Sequence, residues 1–157
     1  MIIGSLTTIT GRINNLYKVI ESLYSQTHKL DHIYLFISKE KHLIDEGIKD
    51  IPANLNQYIN NKFLIIEYVE NHGPYRKFIP IIKKFIDKDD IRIVFFDDDW
   101  IYPEMLIEKM VETHDRFPDC LITLSAHKIH YDKNGNLKIR VKNNKSYFKD
   151  KTFYEPN

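Results

Sequence analysis

The sequence predicts an α/β domain built on a mostly parallel sheet with helices on both faces. Three observations lead there. Short β-branched and aromatic runs alternate with stretches whose apolar residues recur three and four apart, the pattern of strand-helix-strand units. Glycine, proline and polar residues punctuate the joints. The run Ile91-Arg92-Ile93-Val94-Phe95-Phe96 is apolar at every position but one, as expected of a strand covered on both faces.

Taken in order, residues 1–10 read as the first strand, with Ile2, Ile3, Thr7, Thr8 and Ile9, and Gly11 breaks it. Ile13, Leu16, Tyr17, Ile20, Leu23 and Tyr24 then mark a helix. Residues 31–38 form the second strand and 63–69 the third; Pro52 divides the weaker stretch between them into two short pieces. Asn71-His72-Gly73-Pro74 signals a turn, and a short helix follows through Phe78, Ile81, Ile82 and Phe85, with Pro80 tolerated in its first turn. The fourth strand is 91–99. Pro103 is expected to open the next helix from its first position. Its stripe is Leu106, Ile107, Met110, Val111, His114 and Phe117, and Pro118 ends it. Residues 121–129 read as a fifth strand, and Asp132-Lys133-Asn134-Gly135-Asn136 as a hairpin turn that returns 137–141 antiparallel.

Composition excludes several classes. At 157 residues the chain can bury a core as one domain. A formal net charge of +1 supplies no global field for nucleic acid or an anionic membrane, so no nucleic-acid partner is expected. The single Cys120 rules out an internal disulfide and fits a reducing compartment. No apolar run is long enough to span a bilayer and no basic-then-apolar leader is present. The expected location is the cytoplasm, with peripheral membrane attachment compatible.

The chemistry concentrates where the fourth strand ends, in Asp97-Asp98-Asp99. If the strand continues through them, Asp97 and Asp99 project to one side and Asp98 to the other. Three adjacent carboxylates repel one another. Read alone, they are either a solvated turn or the site of a hard divalent cation such as Mg²⁺ or Mn²⁺. In a parallel sheet this loop shares one edge with three others, which carry Thr8 and Arg12, Glu40, and Arg76 with Lys77. Ligands of open α/β sheets bind at that edge. Carboxylates holding a cation, flanked by Arg and Lys, suit a diphosphate.

The order of these segments resembles GT-A glycosyltransferases of the family-two type, in a subgroup with a Gly-Pro-Tyr-x-Lys loop. The matching stretches are Thr7-Thr8-Ile9-Thr10-Gly11-Arg12, Glu21-Ser22-Leu23-Tyr24-Ser25-Gln26-Thr27 and Leu35-Phe36-Ile37-Ser38-Lys39-Glu40. They continue with Gly73-Pro74-Tyr75-Arg76-Lys77-Phe78-Ile79-Pro80, Asp97-Asp98-Asp99 with Ile101-Tyr102-Pro103, Phe117-Pro118-Asp119-Cys120 and Ala126-His127-Lys128-Ile129. The resemblance covers about residues 1–130 and implies a Rossmann-like GT-A nucleotide-sugar-binding fold. It further implies that Asp97 and Asp98 belong to the nucleotide site, with Asp97 at the ribose. Asp99, together with Asp97, would hold Mn²⁺ or Mg²⁺ on the diphosphate. Thr8, Arg12 and Glu40 would cradle the nucleoside, and Lys77 would face the nucleotide. His127 stands where the subgroup has a His, and Ser125 where it has an Arg.

The same resemblance implies transfer of a sugar, most often from a UDP-sugar, to a hydroxyl of a glycan or lipid-linked acceptor with inversion. Residues 1–142 then form the nucleotide-binding domain. The tail 143–157, with Tyr147, Phe148, Phe153 and Tyr154, reads as the start of an acceptor half that is otherwise missing. No catalytic base can be named. A homo-oligomer or a partner chain is expected to complete the site. The alternative is a non-catalytic module that binds nucleotide sugar or metal, or one half of a multichain enzyme. A receiver domain or a haloacid-dehalogenase-type phosphatase would need acidic groups after the first strand, where this chain has Thr10-Gly11-Arg12.

Overall fold

The computed structural model describes residues 1–124 and, as backbone, residues 130–131 and 137–138. The chain divides into a compact unit Met1–Ile122 and a second unit Thr123–Asn157. In the first, four strands form one all-parallel sheet: β1 (Ile2–Thr7), β2 (His32–Ile37), β3 (Leu64–Tyr68) and β4 (Arg92–Phe95), in the order β3-β2-β1-β4. The helices are α1 (Leu16–Tyr24), α2 (Asn56–Asn60), α3 (Ile79–Phe85) and α4 (Leu106–Arg116). This is the α/β architecture expected from the sequence.

Alternation along the strands divides the core in two. Ile2 and Leu6 of β1, Ile33, Leu35 and Ile37 of β2, and Leu64 of β3 enter one cluster with Leu16, Val19, Ile20 and Leu23 of α1, Tyr58 of α2 and Leu106 and Ile107 of α4. Ile3, Tyr34 and Phe36 face the other way and meet Ile81 and Phe85 of α3. Both sheet faces are therefore covered, because successive strand side chains point to opposite sides. Register places Leu6 beside Leu35 and Ile3 beside Ile93.

Four local expectations need correction. β4 is short and only partly buried, and Phe95 at its end is exposed. It pairs with β1 on one side, and no other described strand pairs with it. Pro103 does not begin α4; the helix starts at Leu106, and the Pro103 carbonyl accepts from the Leu106 N–H at 3.0 Å. Buried Gln26 fixes that start. Its amide nitrogen donates to the carbonyls of Ser22 and Pro103, and its oxygen accepts from the Ile107 N–H at 3.0 Å. The first helix opens with a tighter turn at Ile13–Asn15. Of the expected fifth strand, residues 121–124 are not strand, and 125–129, with Ser125 and His127, lie outside the described residues.

In the second unit, β5 (His130–Tyr131) and β6 (Leu137–Lys138) pair antiparallel, as the hairpin signal implies; the turn lies outside the described residues. Among the described residues, no helix is long and apolar enough to cross a membrane.

Candidate functional site

Parallel strands bring the loops after Thr7, Ile37, Tyr68 and Phe95 to one edge of the sheet. The last rung of β4 is the Phe96 N–H donating to the Ser5 carbonyl at 2.9 Å. Beyond it the chain leaves the sheet, so Asp97, Asp98 and Asp99 belong to a loop and strand alternation does not dictate their directions. The Tyr102 hydroxyl shapes this loop instead. It accepts from the Asp97 N–H at 2.8 Å and donates to the Asp97 carbonyl at 3.2 Å. Burial, opposed by that backbone contact and reinforced by the three carboxylates, pushes the Tyr102 phenol up to about 12. It stays protonated and able to donate at neutral pH.

The three aspartates have different surroundings. Asp98 is turned inward, its side chain 9% exposed. It accepts from the Thr8 hydroxyl at 2.6 Å and from Arg12 Nη1 at 2.7 Å. Asp97 and Asp99 face solvent, at 63% and 49% exposure. Asp97 pairs with Lys77 Nζ at 2.5 Å, and Asp99 with Arg12 Nη1 at 3.1 Å. The hydrogen bond with Asp98, and then its charge, raise the pKa of Arg12 above its ordinary value against the cost of desolvation, and Asp99 and Asp97 add lesser contributions in the same direction. Lys77 Nζ also donates to the Phe96 carbonyl at 3.3 Å. Three carboxylates thus share two cations.

Behind this edge lies a buried ion pair. Arg76 is 1% exposed, and its Nη2 meets Asp45 Oδ2 at 3.0 Å, with that side chain 3% exposed. The same Nη2 donates to the Thr8 carbonyl at 3.1 Å, and Nε to the Gly73 carbonyl at 3.1 Å. Nη1 is buried with no partner among the described residues. Asp45 Oδ1 accepts from the Thr10 N–H, the Thr10 hydroxyl and the Gly47 N–H at 2.9–3.2 Å. Burial pushes the Asp45 carboxyl up, but the bonds from Thr10, Gly47 and Arg76 outweigh it and hold the group below its usual range. Gly47 is required here. Its φ is +82°, and a Cβ would lie 2.2 Å from the Lys39 carbonyl oxygen.

Glu40 is exposed and braces the neighbouring loop: Oε2 accepts from the Asn71 N–H at 3.1 Å, and its carbonyl from Asn71 Nδ2 at 2.8 Å. Of the expected residues, Thr8, Arg12, Asp98 and Asp99 are therefore linked by direct contacts, Asp97 and Lys77 form a separate pair, and Glu40 is joined through Asn71 to Asp45. The sequence pattern assigns no site role to Asp45, Asn71, Gln26 or Tyr102, although the last three stand in stretches it marks. Residues 39–50 also hold Glu40, Glu46 and Asp50, and nothing in the pattern marks Asp45 as the buried acid. The Asn71-His72-Gly73 turn did carry a signal, since Asn at a turn bonds its own backbone two residues on; Asn71 Oδ1 accepts from the Gly73 N–H at 3.1 Å.

Among the described residues, no group of three or more His, Cys, Asp or Glu side chains converges as a metal-ligating set. The donor chemistry is nonetheless compatible with a hard cation. Mg²⁺ is commonly held by one or two carboxylates plus substrate phosphates and water, and Asp97 and Asp99 are two exposed carboxylates flanked by cations. A separate groove of about 800 Å³ runs beside α1, lined by Tyr17, Lys18, Glu21, Gln57, Tyr58 and Ile101 among others; none of the expected site residues borders it. Searched against protein families and against curated proteins, the chain matches none.

Proposed function

We propose that this chain holds the diphosphate of a nucleotide sugar at the carboxyl edge of its sheet, as the donor-binding part of a GT-A-type glycosyltransferase. The observation that carries this reading is the division of labour in the acidic loop. Asp98 is consumed internally by Thr8 and Arg12, which leaves Asp97 and Asp99 outward beside Arg12 and Lys77. In the free protein the two cations offset part of the charge of the three carboxylates. When a diphosphate arrives, Arg12 and Lys77 can transfer their hydrogen bonds to phosphate oxygens, where charge-assisted contacts are strong. That would free Asp97 and Asp99 for Mn²⁺ or Mg²⁺, which supplies positive charge to a departing nucleoside diphosphate. Thr8 holds Asp98, and with it the loop, at a fixed height above the sheet. The cytoplasm is the compartment that fits a lone exposed Cys120.

One observation favours a second reading, a module that holds a nucleotide sugar without transferring it. Each of the edge carboxylates Glu40, Asp45, Asp97, Asp98 and Asp99 is engaged by a hydrogen bond or an ion pair. None stands ready as the base that an acceptor hydroxyl needs. A ligand-observed binding screen of UDP, GDP, ADP and CDP with and without Mg²⁺ tests the shared donor claim. Binding of no nucleoside diphosphate in either condition would remove it. An assay of sugar release from UDP-sugars, with and without acceptors, separates the enzyme from the module.

A further inference from the structure

We infer that Arg76 is a positioning residue: one guanidinium, pinned by Asp45, sets where the acidic loop and its cations stand. The path is continuous. Asp45 gathers Thr10 and Gly47 through Oδ1 and Arg76 through Oδ2. Arg76 Nη2 bridges from Asp45 to the Thr8 carbonyl. The hydroxyl of the same Thr8 grips Asp98, whose second oxygen takes Arg12. Lys77 follows Arg76 directly, and its carbonyl is fixed to β1 by the Ser5 hydroxyl at 2.7 Å. Arg76 Nε closes the Gly73 turn on the other side. Loops from β1, β2 and β3 are thus tied to one buried charge pair, and Thr8 passes their placement to the loop after β4.

The geometry asks for arginine and not merely for a cation. The planar fork reaches Asp45, the Thr8 carbonyl and the Gly73 carbonyl from nitrogens fixed in one plane. A lysine could keep the Asp45 pair but would abandon at least one carbonyl. The Asp45 side is equally specific, because five donors from Thr10, Gly47, Arg76 and Asn71 converge on its two oxygens. This makes Arg76 and Asp45 determinants of the site although neither is exposed to touch a ligand.

The consequence for affinity rests on the donor-site reading, so the test has a ligand-free arm. Amide hydrogen exchange is followed on the full chain in R76K and in T8V. The reporters are the Thr10 amide, bonded to Asp45, and the Asp97 amide, bonded to Tyr102. The core amide of Ile33, bonded to the Phe63 carbonyl, is the control. R76K should speed exchange at Thr10 and Asp97 by tenfold or more with Ile33 unchanged, and should weaken UDP binding in Mn²⁺ about tenfold. T8V cuts the path after Arg76, so it should speed Asp97 alone. Should R76K not fold, T8V still tests the Thr8 step on which the inference depends. Unchanged exchange at Asp97 in folded R76K or in T8V, or equal acceleration at Ile33, would overturn the inference and return the pair to general stability. If the wild-type chain binds no nucleoside diphosphate, the donor reading fails, while the exchange result still decides the positioning role.

Discussion

Asp45→Asn is the substitution whose effect follows most directly from the structure. It keeps the size of the side chain and one carbonyl oxygen, but removes the charge opposite Arg76 in a site where both side chains are at most 3% exposed. The guanidinium is then left buried without its counter-ion. Removing one partner of a buried pair costs about 3–5 kcal/mol. Domains of this size have roughly 5–15 kcal/mol in total. At about 4 °C per kcal/mol for a domain near this length, the melting temperature should fall by roughly 10–20 °C. The double variant D45N/R76M removes the stranded cation and should melt above D45N. pH acts on the same group. The folded Asp45 pKa is lowered from 3.8, so its contribution is fully present above the unfolded value and is lost as pH falls through the folded one. Stability of the wild type should therefore decline below about pH 4, and D45N should lack that part of the decline. Thermal melts from pH 2.5 to 7 read both effects. A loss under about 1 kcal/mol in D45N at pH 7, with an unchanged acid limb, would refute the claim that the pair is a buried anchor.

The remaining predictions concern the loop and the ligand. Gly47→Ala should destabilise by more than about 1–2 kcal/mol in a denaturant titration, since the residue has positive φ and its new Cβ would meet the Lys39 backbone; a neutral result would mean that this loop shifts freely. Lys77→Ala should weaken UDP by about 10- to 150-fold and uridine far less, as expected for losing a charge-assisted contact of roughly 1.5–3 kcal/mol; equal effects on both ligands would place Lys77 away from phosphate. Asp99→Asn should leave the melting temperature nearly unchanged, because its ion pair with Arg12 is half-exposed, yet should abolish most of the metal dependence of UDP binding. A lower melting temperature with unaltered metal response would make Asp99 structural.

The fold was legible because burial writes itself into the strands. Ile33, Leu35 and Ile37 serve one face of β2 and Tyr34 and Phe36 the other, so the run is apolar throughout, and such runs belong to sheets covered twice. The start of α4 was not legible. Proline is well suited to a first helical position, but Gln26, 77 residues before Pro103, claims the Pro103 carbonyl and the Ile107 N–H, and so sets the helix start three residues later. That is a tertiary constraint with no local signature. The place of the acidic loop at the carboxyl edge of the sheet was legible, and its geometry was not. Its residues were expected to alternate along a strand, whereas the strand stops at Phe95 and Tyr102 folds the loop back. The buried pair was the least visible. Arg76 sits beside the more obvious Lys77, and Asp45 lies in a stretch with no periodicity. Only the convergence of three loops, absent from any local window, reveals that they meet.

The proposed site, in which Asp97 and Asp99 would face a diphosphate across a divalent cation, is open to a single calorimetric experiment. UDP is titrated into the full chain in Mn²⁺ and again in the same buffer with excess chelator. Binding should be saturable with Mn²⁺ and at least tenfold weaker with chelator, since three carboxylates shared by two cations would then face the diphosphate alone. Equal affinity in the two buffers, or no heat in either at two temperatures, would refute the cation-bridged site.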